Sequence, residues 1–152
     1  MIQTKYHGDV EINKESILHF EKGIPGFEDE KEFVILPLSE DQTFAVMQSV
    51  NTPYIAFVVT SPFNFFKNYD FNLEEATVEE LELKTEEDVV VYSILTVEDP
   101  FENTTANLQA PVIINTSNMK AKQVILNDGQ YKTKHPIFRK GDFHVSANPQ
   151  KR

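Results

Sequence analysis

The chain has 152 residues, 40% of them hydrophobic and 25% charged, with a formal net charge of −10, so it is long enough for one domain with its own hydrophobic core. The absence of cysteine excludes a disulfide framework, a thiolate metal site and a cysteine nucleophile. No apolar run approaches the roughly 20 residues that span a bilayer, and residues 1–6 lack the apolar core of a signal peptide, so we expect a cytoplasmic protein without membrane contact.

The first informative element is the tight turn predicted by residues 23–28, Gly-Ile-Pro-Gly-Phe-Glu. Pro25 presets φ to about −65° at the second position of a type II turn, and Gly26 accepts the positive φ of the third. Three short apolar runs follow, over residues 33–36, 44–50 and 54–60, and each is bounded by proline or by turn-forming residues. This pattern is typical of β-strands.

An aromatic tract comes next, with four Phe and one Tyr among residues 61–71. Its Pro, Asn and Asp residues break regular structure. One interpretation is that Phe65 and Phe71 plug the open end of a β-barrel. The other is a partly exposed aromatic patch, which would be a hot spot for binding another protein.

The most acidic stretch spans residues 74–88, with eight acidic residues against one lysine. Thr77 and Glu80 have the spacing of a capping box, which predicts a helix of about two turns ending near Leu83 or Lys84. Such a surface repels a phosphate backbone and attracts a basic protein, so direct nucleic-acid binding by this acidic body is disfavoured. A solvated face that only keeps the protein soluble is the alternative interpretation.

Residues 89–97 are apolar on both faces of a strand, since Val89, Val91 and Leu95 alternate with other apolar residues. We therefore expect a central strand that is covered on both sides, which requires a second layer.

Further strands are predicted over residues 111–114 and 123–126. Between residues 126 and 131, Asp128-Gly129 predicts a type I′ hairpin. An edge strand over residues 130–135 would follow it, with Lys132 and Lys134 protecting the edge.

Together these elements predict an all-β fold, an antiparallel barrel-like or two-layer β structure with one short helix. Residues 1–141 would form this single domain, and residues 142–152 would form a polar tail.

The residues that could carry chemistry form no recognisable site. The four histidines show no metal-ligand spacing, and there is no nucleophile elbow and no glycine-rich phosphate loop. We therefore predict no enzyme, no metal and no cofactor. Two alternatives stay open, namely an Asp/His site assembled only in three dimensions and RNA binding by the basic residues of the C-terminal part, Lys120, Lys122, Lys132, Lys134, Arg139 and Lys140.

Two tracts in this order, residues 23–28 and Asn-Leu-Gln-Ala-Pro-Val-Ile-Ile-Asn at 107–115, resemble the bacterial flagellar assembly factor family, FliW. The likeness extends from about residue 2 to 138 and includes residues 31–38 and 89–99. It implies an antiparallel barrel-like fold and a non-enzymatic protein of the cytoplasm that binds flagellin and the RNA-binding translational regulator CsrA. Accumulated flagellin would occupy the protein and release CsrA to silence the flagellin message, and flagellin export would reverse this.

The resemblance also suggests roles for individual residues. The family motif residues are assigned to scaffold or contact: Gly23, Pro25, Gly26, Phe27, Asn107, Leu108, Gln109, Ala110 and Pro111. The acidic stretch and the aromatic tract supply the hypothesis for the partner-binding surface, which comprises Glu74, Glu75, Glu79, Glu80, Phe65 and Phe71. The competing function is a chaperone that binds flagellin alone and has no regulatory partner.

Overall fold

The computed structural model describes residues 1–138, so the predicted tail of residues 142–152 lies outside the described residues. In the described part, one helix, α1, spans Glu75–Glu80. The strands are β1 (Ile2–Gln3), β2 (Asp9–Val10), β3 (Leu18–Phe20), β4 (Glu32–Pro37), β5 (Phe44–Ser49), β6 (Ala56–Thr60), β7 (Val89–Thr96), β8 (Thr105–Ala106), β9 (Val112–Asn115), β10 (Lys120–Gln123) and β11 (His135–Pro136). Short 3₁₀ turns occupy Lys14–Ser16, Pro62–Asn64, Glu86–Asp88 and Phe101–Asn103.

Seven of the strands form a closed ring in the order β3, β4, β5, β6, β7, β9, β10 and back to β3. Neighbours in this ring are antiparallel except β3 and β10, which pair in parallel. A ring with an odd number of strands cannot alternate direction throughout, so one parallel pairing is unavoidable. The predicted barrel-like all-β fold is confirmed, and closure leaves the ring without an outer edge strand.

The barrel interior is filled by alternate side chains from all seven strands. The rings of Phe20 and Phe33 meet edge to face at 5.4 Å. The other interior residues on the strands are Leu18, Ile35, Ala45, Met47, Phe57, Val59, Val90, Tyr92, Ile94, Val112, Ile114 and Ala121.

The strand β7 is buried on both faces, as its sequence predicts. Val90 packs in the barrel interior, whereas Val89, Val91 and Leu95 belong to a second group on the outside of the barrel wall, here called the outer cluster. The buried residues of the outer cluster are Tyr69, Leu81, Leu95, Ala106, Leu108, Ile113, Val124, Leu126 and Ile137. The second layer is therefore not a sheet but the largely irregular chain segments that carry these residues, together with α1.

The expectation that Phe65 and Phe71 plug the barrel opening is wrong. Both rings pack on the outer cluster, where Phe65 stacks against Phe44 with ring centroids 5.9 Å apart. The barrel needs no aromatic plug from this tract because its own strands fill the interior with side chains.

The predicted capping box is also wrong, although the helix itself is confirmed. Glu74 is the N-cap, and Thr77 lies inside the helix with its side chain buried. Beyond the C-cap Leu81, Glu82 adopts a left-handed φ of +55°. The amides of Leu83 and Glu82 then bond back into the last turn, which is a Schellman ending. Burial of Thr77 favours its place inside the helix and overrides the local capping signal.

The predicted hairpin at Asp128-Gly129 and the edge strand after it are not formed. Gly129 has no positive φ, which a type I′ turn requires. Strand β10 ends at Gln123, and Val124 and Leu126 are buried in the outer cluster. The chain therefore runs on to cover the barrel wall, and of residues 124–138 only β11 pairs with a strand, β8.

Candidate partner-binding surface

The acidic residues of α1 divide into two groups that the sequence does not distinguish. Glu74, Glu75 and Glu79 are exposed, and no ion pair engages them among residues 1–138. Glu80 is half-buried, and Lys122 on β10 donates a 2.8 Å hydrogen bond to its carboxylate. This bond lowers the pKa of Glu80 below its ordinary value. Three of the four predicted acids thus remain available to a partner, and the fourth is engaged within the chain.

The end of α1 is fastened to the barrel by two asparagine side chains. The Nδ2 atom of Asn115, which is fully buried on β9, donates to the carbonyls of Leu81 (2.8 Å) and Glu82 (3.2 Å). Asn118 Nδ2 adds a second donor to Leu81 O at 3.1 Å. Because carbonyls at a helix end lack partners within the helix, these bonds hold α1 and its acids in one place on the wall. No local sequence pattern indicates this role of Asn115, because its partners lie more than 30 residues away in the chain.

A second ion pair joins the residue after the helix to the barrel. Lys120 on β10 hydrogen-bonds to Glu82, which lowers the pKa of the carboxyl and raises that of the ammonium group. Lys120 and Lys122 are thus occupied by acids of the same chain. Lys132 and Lys134 are exposed, but they lie in a segment without the predicted strand.

The two aromatic residues of the hypothesis lie in different places. Phe71 lines a depression of about 570 Å³ together with Glu74 and Thr77, so it adjoins the acidic helix. Phe65 lines a separate depression with Leu108 and His135. The most exposed ring of the aromatic tract is that of Phe63, with 45% of the residue's surface accessible.

Tyr69 connects the aromatic tract to the second sequence motif. Its ring is buried in the outer cluster, and its hydroxyl donates a 2.7 Å hydrogen bond to the carbonyl of Leu108. Burial is the main cause that raises the pKa of this phenol, so Tyr69 is a neutral donor at ordinary pH. The tract is therefore anchored at its centre and presents its remaining rings around that anchor.

An apolar groove of about 530 Å³ separates the aromatic tract from α1 and the start of β7. Phe63, Val89 and Val91 are among its apolar lining residues. Its other apolar lining residues are Tyr69, Phe71, Leu73, Val78 and Leu83, and its polar ones are Asp70, Asn72, Lys84, Thr85 and Glu86. Apolar concavities of this size are typical of binding sites. Phe63, Val78 and Val89 were not selected from the sequence, because only the tertiary structure brings the three segments together.

The first motif forms the predicted turn and closes against the barrel interior. The amide of Phe27 donates to the carbonyl of Ile24 at 2.6 Å, and Gly26 has a φ of +86°. Ile24 is buried in the interior, and the half-exposed ring of Phe27 meets Phe57 edge to face at 5.5 Å. Gly23 is the most constrained residue, since a Cβ atom there would lie 2.3 Å from the carbonyl oxygen of Glu28.

The second motif contains the loop between β8 and β9, which is held by its own hydrogen bonds. Asn107 Oδ1 accepts hydrogen bonds from the amides of Gln109 (3.1 Å) and Ala110 (3.0 Å). The carbonyls of Gln109 and Pro111 accept the amides of the chain that leaves β10, at 2.8 and 3.0 Å. These bonds give the motif a structural role, because they hold the chain segment after β10 onto the outer cluster.

Residues 1–138 contain no group of three or more His, Cys, Asp or Glu side chains that could hold a metal ion. Within the same residues, no helix has the length and apolar character needed to cross a bilayer.

A closed β-barrel that carries an exposed acidic helix beside an apolar groove defines a compact scaffold with a surface suited to binding another protein. Residues 1–137 match the family model described as FliW protein, and the chain belongs to the FliW family.

Relatives with known names agree with this assignment. The chain is 58% identical over 137 residues to the flagellar assembly factor FliW of Bacillus subtilis, covering 90% of this chain and 96% of that protein. It is 55% identical over 137 residues to the protein of the same name from Geobacillus thermodenitrificans, covering 90% and 94%. A crystal structure of the flagellar assembly factor FliW superposes with a TM-score of 0.86 at 51% identity, covering 91% of this chain and 96% of that one.

Proposed function

We propose that this chain acts in flagellar assembly as a non-catalytic binding protein of the cytoplasm. It would bind flagellin and sequester the RNA-binding translational regulator CsrA, so that the level of flagellin controls flagellin translation. Membership of a family whose relatives are named flagellar assembly factors supports a role in flagellar assembly. The two partners come from the resemblance to that family. The exposed acidic helix makes a basic regulator a physically suitable partner.

The observation that carries the proposal is the set of three exposed acids on a rigidly fastened helix. Glu74, Glu75 and Glu79 have no ion-pair partner among the described residues, so their negative electrostatic potential can attract an approaching basic surface. A protein that binds RNA presents such a surface. Complementary charge raises the association rate, and salt screens that effect over about 10 Å at 0.1 M ionic strength.

Regulation follows from thermodynamic linkage between the two partners. If flagellin binding lowers the affinity for CsrA, then CsrA binding lowers the affinity for flagellin by the same factor. Accumulated flagellin would then displace CsrA, and exported flagellin would allow it to be bound again. A titration of each partner in the presence of the other measures this coupling.

The test is a triple charge reversal, Glu74→Lys, Glu75→Lys and Glu79→Lys, assayed for CsrA binding at about 50–300 mM salt. We expect the dissociation constant at the lowest salt to rise about tenfold or more, equivalent to about 1.4 kcal/mol. We also expect the salt dependence to flatten and the melting temperature to stay nearly constant. Glu80 is left unchanged because its pairing with Lys122 is part of the fold.

A matched control separates the local surface from the overall charge. Glu11, Glu15 and Glu40 are also exposed acids, and reversing them changes the net charge by the same amount away from α1. The proposal requires that this control retain its affinity. If flagellin binds but purified CsrA does not, the chain is instead a flagellin-binding chaperone without a regulatory partner.

A further inference from the structure

The depression beside α1, here called the acidic depression, carries negative charge without any positive charge in its wall. It has a volume of about 570 Å³, and Phe71 is among its apolar lining residues. Its charged lining residues are Asp70, Glu74 and Asp128, and no Lys, Arg or His of residues 1–138 lines it. Lys84 lines the neighbouring apolar groove and is not part of this wall. The acidic depression is therefore suited to a cation rather than to an anion.

The carboxylates of Asp70 and Glu74 are unpaired within the described chain. Both residues are exposed, and neither carboxylate takes part in an ion pair or a hydrogen bond among residues 1–138. The carboxylate of Asp128 accepts hydrogen bonds from the backbone amide (3.0 Å) and the side-chain Nε2 (3.1 Å) of Gln130. Both of these donors are neutral, so all three negative charges remain uncompensated.

A buried hydroxyl group without a partner lies in the same wall. Thr77 is only 4% exposed and lines the acidic depression. No hydrogen bond among residues 1–138 engages its Oγ1 atom, and this atom is not enclosed by the described protein. The accessible part of Thr77 thus opens into the depression. Because buried polar groups are normally hydrogen-bonded, this hydroxyl marks a position for a donor that the described chain does not supply.

The remaining lining residues favour a flat cation on an apolar stem. Phe71 and Tyr131 contribute aromatic rings, and Leu73 and Ile125 contribute apolar side chains. A guanidinium group stacks on aromatic faces, and it directs five N–H donors at acceptors such as carboxylates and hydroxyls. The stem of an arginine packs along apolar surface while its head stays with polar groups. An ammonium group has only three donors and is more strongly hydrated.

We propose that the acidic depression receives an arginine side chain of a basic partner protein. This inference rests on the proposed function and specifies how the basic regulator is recognised. The guanidinium group would donate to the carboxylates of Asp70 and Glu74 and to Thr77 Oγ1, and its stem would lie against Leu73. Charge-assisted hydrogen bonds of this kind fix geometry as well as adding affinity. The exposed acids of α1 would then raise the association rate, while the depression would select the partner.

The first experiment uses a small probe, N-acetyl-arginine N-methylamide, added to the full chain and followed by NMR. We expect the signals of Phe71, Thr77 and Tyr131 to shift and to saturate with a dissociation constant on the order of 1 mM. The corresponding citrulline compound has nearly the same shape without the charge, and the lysine compound has the charge without the flat group. Each should bind at least about fivefold more weakly. Equal shifts with all three compounds would overturn the assignment to a guanidinium group.

Two variants test whether the same site binds purified CsrA. Asp70→Asn removes a charge whose carboxylate makes no bond in the described fold, and Thr77→Val removes the unpartnered hydroxyl at nearly constant volume. Asp29→Asn is the control for an exposed acid outside the depression. Thr105→Val is the control for the hydroxyl, since Thr105 Oγ1 also lacks a partner but does not line the depression.

We expect CsrA and the arginine probe to bind about tenfold more weakly to Asp70→Asn and about fivefold more weakly to Thr77→Val. Each control should change either affinity by less than about twofold. Thermal unfolding of the four variants checks that the fold is retained, and a variant with a lower melting temperature is assayed well below it.

The outcomes separate this inference from the function on which it rests. If CsrA binds both depression variants as tightly as the unmodified chain, this inference is refuted and the proposed function stands. If the unmodified chain binds neither CsrA nor flagellin, both are refuted. Weaker binding of flagellin alone would overturn the assignment to the basic regulator. Shifts of the Thr77 signals in the free chain when Arg139 and Arg152 are replaced by glutamine would also overturn it, because the chain's own arginines would then occupy the depression.

Discussion

Gly23 offers the sharpest test of how the first motif folds against the barrel interior. Its φ is +73°, a left-handed conformation that costs an L-residue about 1–2 kcal/mol. A Cβ atom would also lie 2.3 Å from the carbonyl oxygen, 2.6 Å from the carbonyl carbon and 2.7 Å from the Cα of Glu28. All three are backbone atoms, so no side-chain rotation relieves the overlap. The turn itself would have to open.

Gly26 is the matched control within the same turn. Its φ of +86° imposes the same kind of conformational cost, but a Cβ atom there meets nothing within 4 Å. Gly26→Ala should therefore lose about 1–2 kcal/mol of unfolding free energy. Gly23→Ala should lose this amount and a further overpacking cost of about 1–3 kcal/mol, since the turn must shift away from the buried Ile24.

Urea and thermal unfolding of the two single variants measure the difference. For a chain of this size, we expect Gly23→Ala to lower the melting temperature by roughly 4–20 °C and Gly26→Ala by roughly 2–8 °C. In both variants, the dependence of the unfolding free energy on urea concentration should match that of the unmodified chain, because unfolding exposes the same surface. Equal losses in the two variants would show that the contact with Glu28 is absent in solution and would refute the reasoning.

Three further predictions concern side chains whose hydrogen bonds hold α1 and the irregular segments on the outside of the barrel wall. Asn115→Leu removes the buried donor to the carbonyls of Leu81 and Glu82, of which Leu81 keeps its bond from Asn118, and should cost about 1–3 kcal/mol of unfolding free energy in urea; a smaller loss than for an exposed Asn103→Leu control would contradict the fastening role. Tyr69→Phe removes the hydrogen bond to Leu108 and should cost about 1–2 kcal/mol, and alkaline absorbance titration of the folded protein should lose a late-titrating tyrosine. The neutral imidazole of His135 accepts the amide of Lys132, and burial lowers its pKa below 6.5, so its contribution to stability should be complete above about pH 6.5 and decline as the pH falls through that value. When the free energy of unfolding is measured from pH 8 to 5, His135→Gln should lose less stability on acidification than the unmodified chain. Identical pH profiles for the two proteins would show that His135 makes no such contribution.

The acidic helix explains why charge alone cannot define a binding surface. Along the sequence, Glu75, Glu79 and Glu80 are equivalent members of one run. In the fold, Glu80 faces Lys122 and stabilises the docking of α1, while the other two face water. Reversing Glu80 would thus combine a folding effect with any binding effect, and the charge-reversal experiment is interpretable only without it.

The sequence by itself determined the features that depend on neighbouring residues or on simple alternation. Pro25 and Gly26 specify their turn because one residue restricts φ and the other permits its positive value. The two apolar faces of residues 89–96 required a covered strand, and the structure covers both. The short β-branched and aromatic runs with turn signals between them were sufficient to indicate an antiparallel barrel-like or two-layer β fold with one helix.

Only the tertiary structure decided where that helix begins, what covers the barrel wall and which side chains reach solvent. Thr77 is a good N-cap by its local pattern, yet it is buried and lies inside the helix. Asp128-Gly129 favours a hairpin, yet burial of Val124 and Leu126 draws the chain across the outer cluster instead. Apolar burial acts between residues far apart in sequence and exceeds the roughly 1 kcal/mol that a cap or turn contributes. The groove at β7 follows from the same cause, since it exists only where three separate segments pack together.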